Sequence, residues 1–252
     1  RRALSPPTSL FASPRYEPAV FSDLLRRAKS PPLHRLGRTG GLVLPHARTS
    51  AQAASYNAAV RNLIVVGTRI FLGLIFFTSG MGKLTHGGFV GLIGPVWLEE
   101  KMAQYGLGMW AVFVAWSQVT IGLLLLSQRF AVIGSIMLVP MIANIFVITV
   151  SMKWPGTPYV NAVFLAMNAL LLWSERHRLK LLFIDDPEAV RRIAVTRRNP
   201  RLDLLCAGGI ALCLIAPLLY RVHARLPYTF AIAGLSLFVA AAVRERMISR
   251  RR

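Results

Sequence analysis

The stretch RIFLGLIFFTSGMGKL, from Arg69 to Leu84, decides the class of this protein. It is an apolar run with an arginine near its start and a lysine near its end. The run belongs to a longer apolar segment, 62–82, which has about the length that crosses the hydrocarbon core of a bilayer as a helix. Gly73 and Gly80 lie inside it, and small residues let membrane helices approach each other closely. The stretch therefore predicts a membrane helix that packs against other helices.

The composition extends this interpretation to the rest of the chain. Apolar residues make up 54% of the 252 residues and charged residues 16%, whereas a soluble domain carries about 25% charged residues. The mean hydropathy is +0.51, and the charges lie between apolar runs. We therefore predict an all-α polytopic membrane protein with six spans. The five further spans are 109–127, 130–150, 159–175, 204–220 and 227–243.

The net charge of +20 is distributed unevenly around these spans. With six spans, the N-terminus, the 128–129 turn, the 176–203 loop and the C-terminus share one side, and they carry most of the 30 Lys and Arg residues. The positive-inside rule then places both termini in the compartment of synthesis or its organellar equivalent. No nucleic-acid-binding motif accompanies the charge, so nucleic acid is not an expected partner.

Composition divides the chain into four parts. Residues 1–61 form a basic, Pro-rich arm that resembles an organellar targeting segment, and the chain begins without Met, as it would after trimming of a presequence or after truncation. Such a segment buries too little apolar surface to order itself, so we expect partner subunits to hold it. Residues 62–182 form a four-helix core, 183–203 an amphipathic surface segment, and 204–252 two further spans with a basic tail.

A few polar residues lie inside the spans or at their ends, and they are the candidates for a pocket or for interhelical contacts. Arg69 is either functional, as intramembrane arginines are by default, or it extends to the basic side of the membrane. The amides most often form hydrogen bonds between helices, and contact with a ligand is the alternative. The candidates are Arg69, Lys83, Gln118, Asn144 and Asn168.

The 176–203 loop indicates a contact with lipid. Asp186 and Pro187 are good first residues of a helix, and arginines that follow them would meet anionic headgroups. We therefore expect a bound phospholipid of the cardiolipin type. The headgroup-binding candidates are Arg191, Arg192, Arg197 and Arg198.

The acidic residues and the histidines all lie outside the spans or at their rims. A haem held by two intramembrane histidines, or a carboxylate proton relay, therefore lacks its members. No zinc spacing, phosphate-binding loop or nucleophile–base pair is present either. We assign no catalytic residue and no metal ligand, and whether the protein is an enzyme stays open.

The core is similar to a known family. RIFLGLIFFTSGMGKL, GLLLLSQRFAVIGSIMLVPMIANIFVITVSM (122–152), GTPYV (156–160) and LLLWSERHRLKLL (170–182) together resemble the DoxX family over residues 62–182. The resemblance implies a four-helix membrane bundle, to which the last two helices are additions. Arg69, Lys83 and Asn144 carry the family pattern by position. Many members have a glutamate where this chain has Gln118, which argues against a role that needs a titrating carboxylate.

Two functions are consistent with these features. The first is a non-catalytic accessory subunit of a large organellar membrane complex, with its N-terminal arm on neighbouring subunits and without a cofactor of its own. We expect a respiratory complex of the mitochondrial inner membrane, with a plastid membrane as the alternative. The second is a quinone-linked oxidoreductase subunit in which Arg69, Gln118 and Asn144 line a pocket for a quinone or a thiol.

Overall fold

The computed structural model describes residues 45–180 and 199–250, and every regular element within those ranges is helical. The prediction of an all-α fold is confirmed. We number the helices α1 to α8 in chain order. They are α1 (Pro45–Leu84), α2 (Leu98–Ala103), α3 (Gly108–Leu126), α4 (Ala131–Ser151), α5 (Thr157–Ser174), α6 (Arg176–Leu179), α7 (Pro200–Ile215) and α8 (Leu226–Arg250).

Five helical segments in the described ranges are long and apolar enough to cross a membrane. They confirm five of the six predicted spans. The predicted span 159–175 corresponds to α5, which is not among the five. Its 18 residues are long enough, but Asn161 and Asn168 lower its hydropathy, and both are buried against the other helices. The five segments are Tyr56–Leu84, Gly108–Leu126, Ala131–Ser151, Pro200–Arg221 and Leu226–Ile248.

Helices α1, α3, α4 and α5 form a bundle around one apolar core. The closest contact is between α1 and α3, where glycines bring the two backbones together. A Cβ atom at Gly122 would lie 2.4 Å from the backbone nitrogen of Phe77, and one at Gly80 would lie 2.6 Å from the carbonyl oxygen of Ala115. This is how small residues act in membrane helices, where van der Waals packing replaces the hydrophobic effect as the driving force.

Helices α7 and α8 form an antiparallel pair beside this bundle and contact it through α3. Gly209 and Gly234 face each other, and a Cβ at either would lie within 2.7 Å of the other's carbonyl oxygen. Cys206 and Cys213 are buried, free thiols in the same core. At Pro217 the α-helix gives way to a 3₁₀ helix, Ala216–Arg221, that continues α7.

One arginine connects the helical pair to the bundle. Arg129, in the turn between α3 and α4, places its Nε 2.6 Å from Asp203 Oδ1 on α7 and its Nη1 3.2 Å from Glu245 Oε2 on α8. Partial burial lowers the pKa of Arg129, but the hydrogen bond to Asp203 and the two carboxylate charges raise it further, so the net pKa lies above its ordinary value. The guanidinium therefore stays charged at this junction.

The first helix is much longer than a membrane is thick. α1 has 40 residues, or about 60 Å at 1.5 Å per residue, against about 30 Å for the hydrocarbon core. It begins at Pro45, inside the segment 1–61 that the sequence predicts as an arm. The proposed contacts of residues 1–44, the helix start at Asp186 and the four headgroup arginines lie outside the described residues.

Candidate functional site: a cavity around Lys83

Four helix ends enclose a cavity of about 80 Å³ at one end of the bundle. The C-terminal ends of α1 and α4 meet the N-terminal ends of α3 and α5 there, and the 85–97 loop and α2 add to the wall. One water needs roughly 10–15 Å³, so the cavity holds about five to eight water-sized groups. Most of its wall is apolar. The apolar side chains include Ile75, Phe76, Val114, Ile145, Ile148 and Phe164.

Lys83, in the last turn of α1, is the charged group of this cavity. The residue is 6% exposed. Its Nζ donates hydrogen bonds to Ser79 Oγ at 2.6 Å and to Gln118 Oε1 at 3.0 Å, and it lies 3.3 Å from the carbonyl oxygen of Ser79. Ser79 is one helical turn earlier, and the α1–α3 packing brings in Gln118. All three acceptors are neutral, and no carboxylate in the described ranges pairs with Lys83.

The backbone of the 85–97 loop lies directly over this group. Gly94 has a φ of +103°, a conformation that side chains with a Cβ rarely adopt. A Cβ at Gly94 would lie 3.0 Å from Ser79 Oγ and 3.1 Å from Lys83 Nζ. The glycine is therefore needed both for the turn and for the space above the ammonium group.

Asn161, in the first turns of α5, adds a second donor to the cavity wall. The residue is 6% exposed, and its Nδ2 has no hydrogen-bond partner. The nearby hydroxyl of Thr149 donates to the carbonyl oxygen of Phe146 at 2.9 Å. A buried amide N–H without an acceptor costs free energy, so the geometry of Asn161 favours a ligand that supplies one.

The segment that builds most of this cavity has known relatives. Residues 64–154 match the DoxX family. The match includes Lys83 and Gln118 and ends before Asn161. It confirms the resemblance over this segment of the predicted range 62–182.

A curated relative extends the comparison beyond the DoxX segment. The uncharacterized protein YwoB of Bacillus subtilis (strain 168) is 27% identical over 147 residues, which are 54% of this chain and 92% of that protein. No solved structure matches the chain.

Arg69, the first charged residue of the DoxX segment, does not line the cavity. Its Nη2 lies 2.5 Å from Glu175 Oε1, just beyond the C-terminal end of α5. The 18 residues of α5 cover about 27 Å, nearly the hydrocarbon thickness. Since α5 begins at the cavity, Arg69 lies at the opposite end of the bundle, where a rim carboxylate neutralises it.

The other candidate residues of the four-helix bundle have different surroundings. Gln118 is buried and lines the cavity. Asn168, on α5, is fully buried and donates from Nδ2 to the carbonyl oxygen of Ser135 on α4 at 2.9 Å, so it connects two helices away from the cavity. Asn144, on α4, is exposed on the outside of the bundle. The structure thus brings Lys83 and Gln118 together and separates the other three.

Sequence reasoning missed Ser79 and Asn161, two of the polar residues that line the cavity. A signal for each was present. Ser79 precedes Lys83 by four residues, the spacing that places two side chains on one helix face. Asn161 lies inside the predicted span 159–175 and is an intramembrane amide like Asn168. Neither signal shows which helices surround the residue, and so neither predicts that it lies at a cavity.

The side chains around the cavity are better suited to binding a small molecule than to catalysing a reaction. Among residues 45–180 and 199–250, no three His, Cys, Asp or Glu side chains are grouped as for a metal ion. The polar residues around the cavity supply an ammonium, two amides and hydroxyls, and Trp110 and Trp154, each with an indole N–H, also line its largely apolar wall. Apolar pockets with a few placed polar groups are the usual form of a small-molecule site, and here the buried donors call for a ligand with acceptor atoms.

Proposed function

We propose that this multi-pass membrane protein is an accessory subunit of a larger membrane complex. The observation that supports it best is Asn144. It lies about 10 Å along α4 from the helix end at Ser151, it is exposed, and it makes no hydrogen bond within the described part of the chain. An amide in hydrocarbon without a partner is costly. A helix of another subunit would supply that partner.

The distribution of charge supports an organellar location for this complex. The basic 1–61 segment fits an organellar protein, and the excess of Lys and Arg on one side fits a topology in which both termini face the matrix of the mitochondrion. A respiratory complex of the mitochondrial inner membrane is the assembly we propose, with a plastid membrane as the alternative. The proposal includes neighbouring subunits on the N-terminal arm, residues 1–61, and a cardiolipin-type lipid on the arginines of the 176–203 loop.

Asn144→Leu tests the proposal, with Val147→Leu as the matched control on the same exposed face of α4. We expect Asn144→Leu to lower the fraction of the protein that co-migrates with other subunits in native electrophoresis of mild-detergent extracts. Val147→Leu should leave that fraction unchanged. The proposal fails if the unmodified protein migrates alone under these conditions.

Cross-linking locates the contact without relying on a loss of assembly. Cys206 and Cys213 are buried, so Asn144→Cys offers one accessible thiol on α4. A membrane-permeant linker with a maleimide at one end and a photoreactive benzophenone at the other, attached to Asn144→Cys and irradiated in native membranes, should join it to a second polypeptide. Adducts to lipid alone would show that this face has no protein neighbour.

A quinone-linked oxidoreductase subunit is the second candidate, and the apolar wall and the hydrogen-bond donors of the cavity support it. A quinone carbonyl would accept a hydrogen bond from Lys83 or Asn161, and the apolar wall would hold the ring. Lys83→Met should then lower the rate of quinone reduction by the native complex at least tenfold, while Lys153→Met, at an exposed lysine on the same end of the bundle, should not. Equal rates in both variants would exclude this candidate.

A further inference from the structure

The ammonium group of Lys83 is held in the cavity without a counter-ion. A buried charge is stable only when it is paired and hydrogen-bonded, and Ser79 and Gln118 provide hydrogen bonds but no negative charge. The C-terminal end of α1 places a partial negative charge near Lys83, whereas the N-terminal ends of α3 and α5 place partial positive charges at the same cavity. An anion bound in the cavity would compensate the charge of Lys83.

A second unsatisfied group faces the same space. Asn161, on α5, also lines the cavity and keeps its Nδ2 without an acceptor although the residue is only 6% exposed. A single occupant with two acceptor atoms would satisfy both groups. Its negative charge would neutralise Lys83, and its second oxygen would accept from Asn161.

Because most of the cavity wall is apolar, few hydrogen-bond donors are available to the occupant, and this limits the number of charged oxygens it can carry. A phosphate carries three or more acceptor oxygens, and most of them would remain unpaired against the apolar wall, at a high cost. A neutral quinone would accept hydrogen bonds but would leave the charge of Lys83 uncompensated. We infer that the cavity binds the carboxylate of an amphiphilic monocarboxylic acid, with Lys83 and Asn161 as donors and the apolar wall around the first carbons of its chain.

Binding of decanoate to the full-length protein tests this inference. The protein is reconstituted in nanodiscs of phosphatidylcholine, and radiolabelled decanoate is titrated in a scintillation proximity assay. We expect saturable binding that unlabelled decanoate displaces and that methyl decanoate, its neutral ester, does not. Equal displacement by the ester, or by the quinone analogue decylubiquinone, would overturn the assignment to a carboxylate.

Three variants assign the site. A hydrogen bond to a charged group contributes enough that Lys83→Met should weaken decanoate binding at least about tenfold. Asn161→Leu should weaken it by a smaller factor, about three- to tenfold. Lys153→Met removes an exposed lysine outside the cavity and should bind like the unmodified protein. Unchanged affinity in Lys83→Met would overturn the inference.

A measurement on the unmodified protein covers the case in which Lys83→Met does not fold. A decanoate derivative with a photoreactive diazirine on its chain is irradiated with the reconstituted protein, and the adducts are mapped by mass spectrometry. We expect adducts in the peptides 110–118 and 145–164, which supply cavity wall. Adducts confined to the exposed faces of α7 and α8 would contradict the site. Neither assay depends on assembly, so a negative result leaves the proposed accessory role intact.

Discussion

Arg69 and Lys83 lie on the same helix, about 21 Å apart along its axis. They differ in whether a carboxylate lies beside the charge. Arg69 pairs with Glu175 at one end of the bundle. Lys83 has only neutral acceptors at the other end. Both residues stand out in the sequence, but the sequence does not show which of them has a counter-ion. That depends on α5, whose C-terminal end places Glu175 beside Arg69 and whose N-terminal end places Asn161 at the cavity. The charge that lacks a counter-ion is therefore the one that points to a ligand.

Removing Arg69 should destabilise the bundle. In Arg69→Met, Glu175 loses its buried partner while its side chain remains only 19% exposed. Breaking a buried pair costs 3–5 kcal/mol, and the partial exposure of Glu175 reduces this to roughly 2 kcal/mol. Reversible unfolding in mixed micelles, followed by circular dichroism, measures the change in the free energy of unfolding.

Arg178→Met is the matched control for this prediction. Arg178 contacts the same carboxylate, with Nε 3.3 Å from Glu175 Oε2, but its side chain is 59% exposed. Exposed ion pairs contribute about 0–1 kcal/mol, so the control should unfold almost like the unmodified protein. Adding Glu175→Gln to Arg69→Met should recover part of the lost stability. Equal effects of Arg69→Met and Arg178→Met would show that burial does not matter at this pair.

Among the helices, the register between α1 and α3 determines the candidate site, because it brings Gln118 to Lys83. Three glycines on the shared interface, Gly73, Gly80 and Gly122, set that register, and Gly122 is the tightest, since an added Cβ would lie 2.4 Å from a backbone nitrogen. Gly122→Ala should therefore push the helices apart and destabilise the bundle by about 1–3 kcal/mol. Thermal unfolding in detergent gives the measurement.

Gly67→Ala is the control on the same helix α1. A Cβ at Gly67 meets nothing within 4 Å, so the substitution adds no contact. Alanine favours a helix over glycine by about 1 kcal/mol, so Gly67→Ala should unfold at the same temperature or higher. If Gly122→Ala were as stable as Gly67→Ala, the close approach of α1 and α3 would not hold the two helices in register.

Apolar runs were sufficient to predict where most helices lie, but not where they meet. The spans follow from hydropathy, and α5 coincides with the predicted span 159–175. Its mean hydropathy is lower because it contains Asn161 and Asn168, which are buried against protein. The cavity could not be predicted in the same way. It depends on the 85–97 loop turning at Gly94 and on the interhelical register, and neither leaves a periodic signal in the chain.

For the molecule, the junction at Arg129 explains how the two C-terminal helices attach to the DoxX segment. Arg129→Gln removes the charge that faces Asp203 on α7 and Glu245 on α8. We expect faster hydrogen–deuterium exchange in α7 and α8, by about tenfold, because the pair opens more often relative to the bundle. Exchange in α4 and α5 should change much less.

Arg244→Gln provides the comparison for that experiment. Arg244 is an exposed arginine on α8, so its loss should leave exchange in both helices unchanged. A double variant, Arg129→Gln with Asp203→Asn, should exchange no faster than Arg129→Gln alone, because the pair is already broken. Additive acceleration would show that Asp203 acts through another contact.

The length of α1 gives the protein a fixed distance. A continuous helix resists bending, so whatever is attached before Pro45 is kept tens of ångströms from the cavity end of α1, much as a spacer sets a gap. Inserting four residues before Tyr56 would lengthen this spacer by about 6 Å and rotate its tip by roughly 40°. The distance and the orientation of the N-terminal residues can therefore change without any substitution in the membrane-spanning part of the chain.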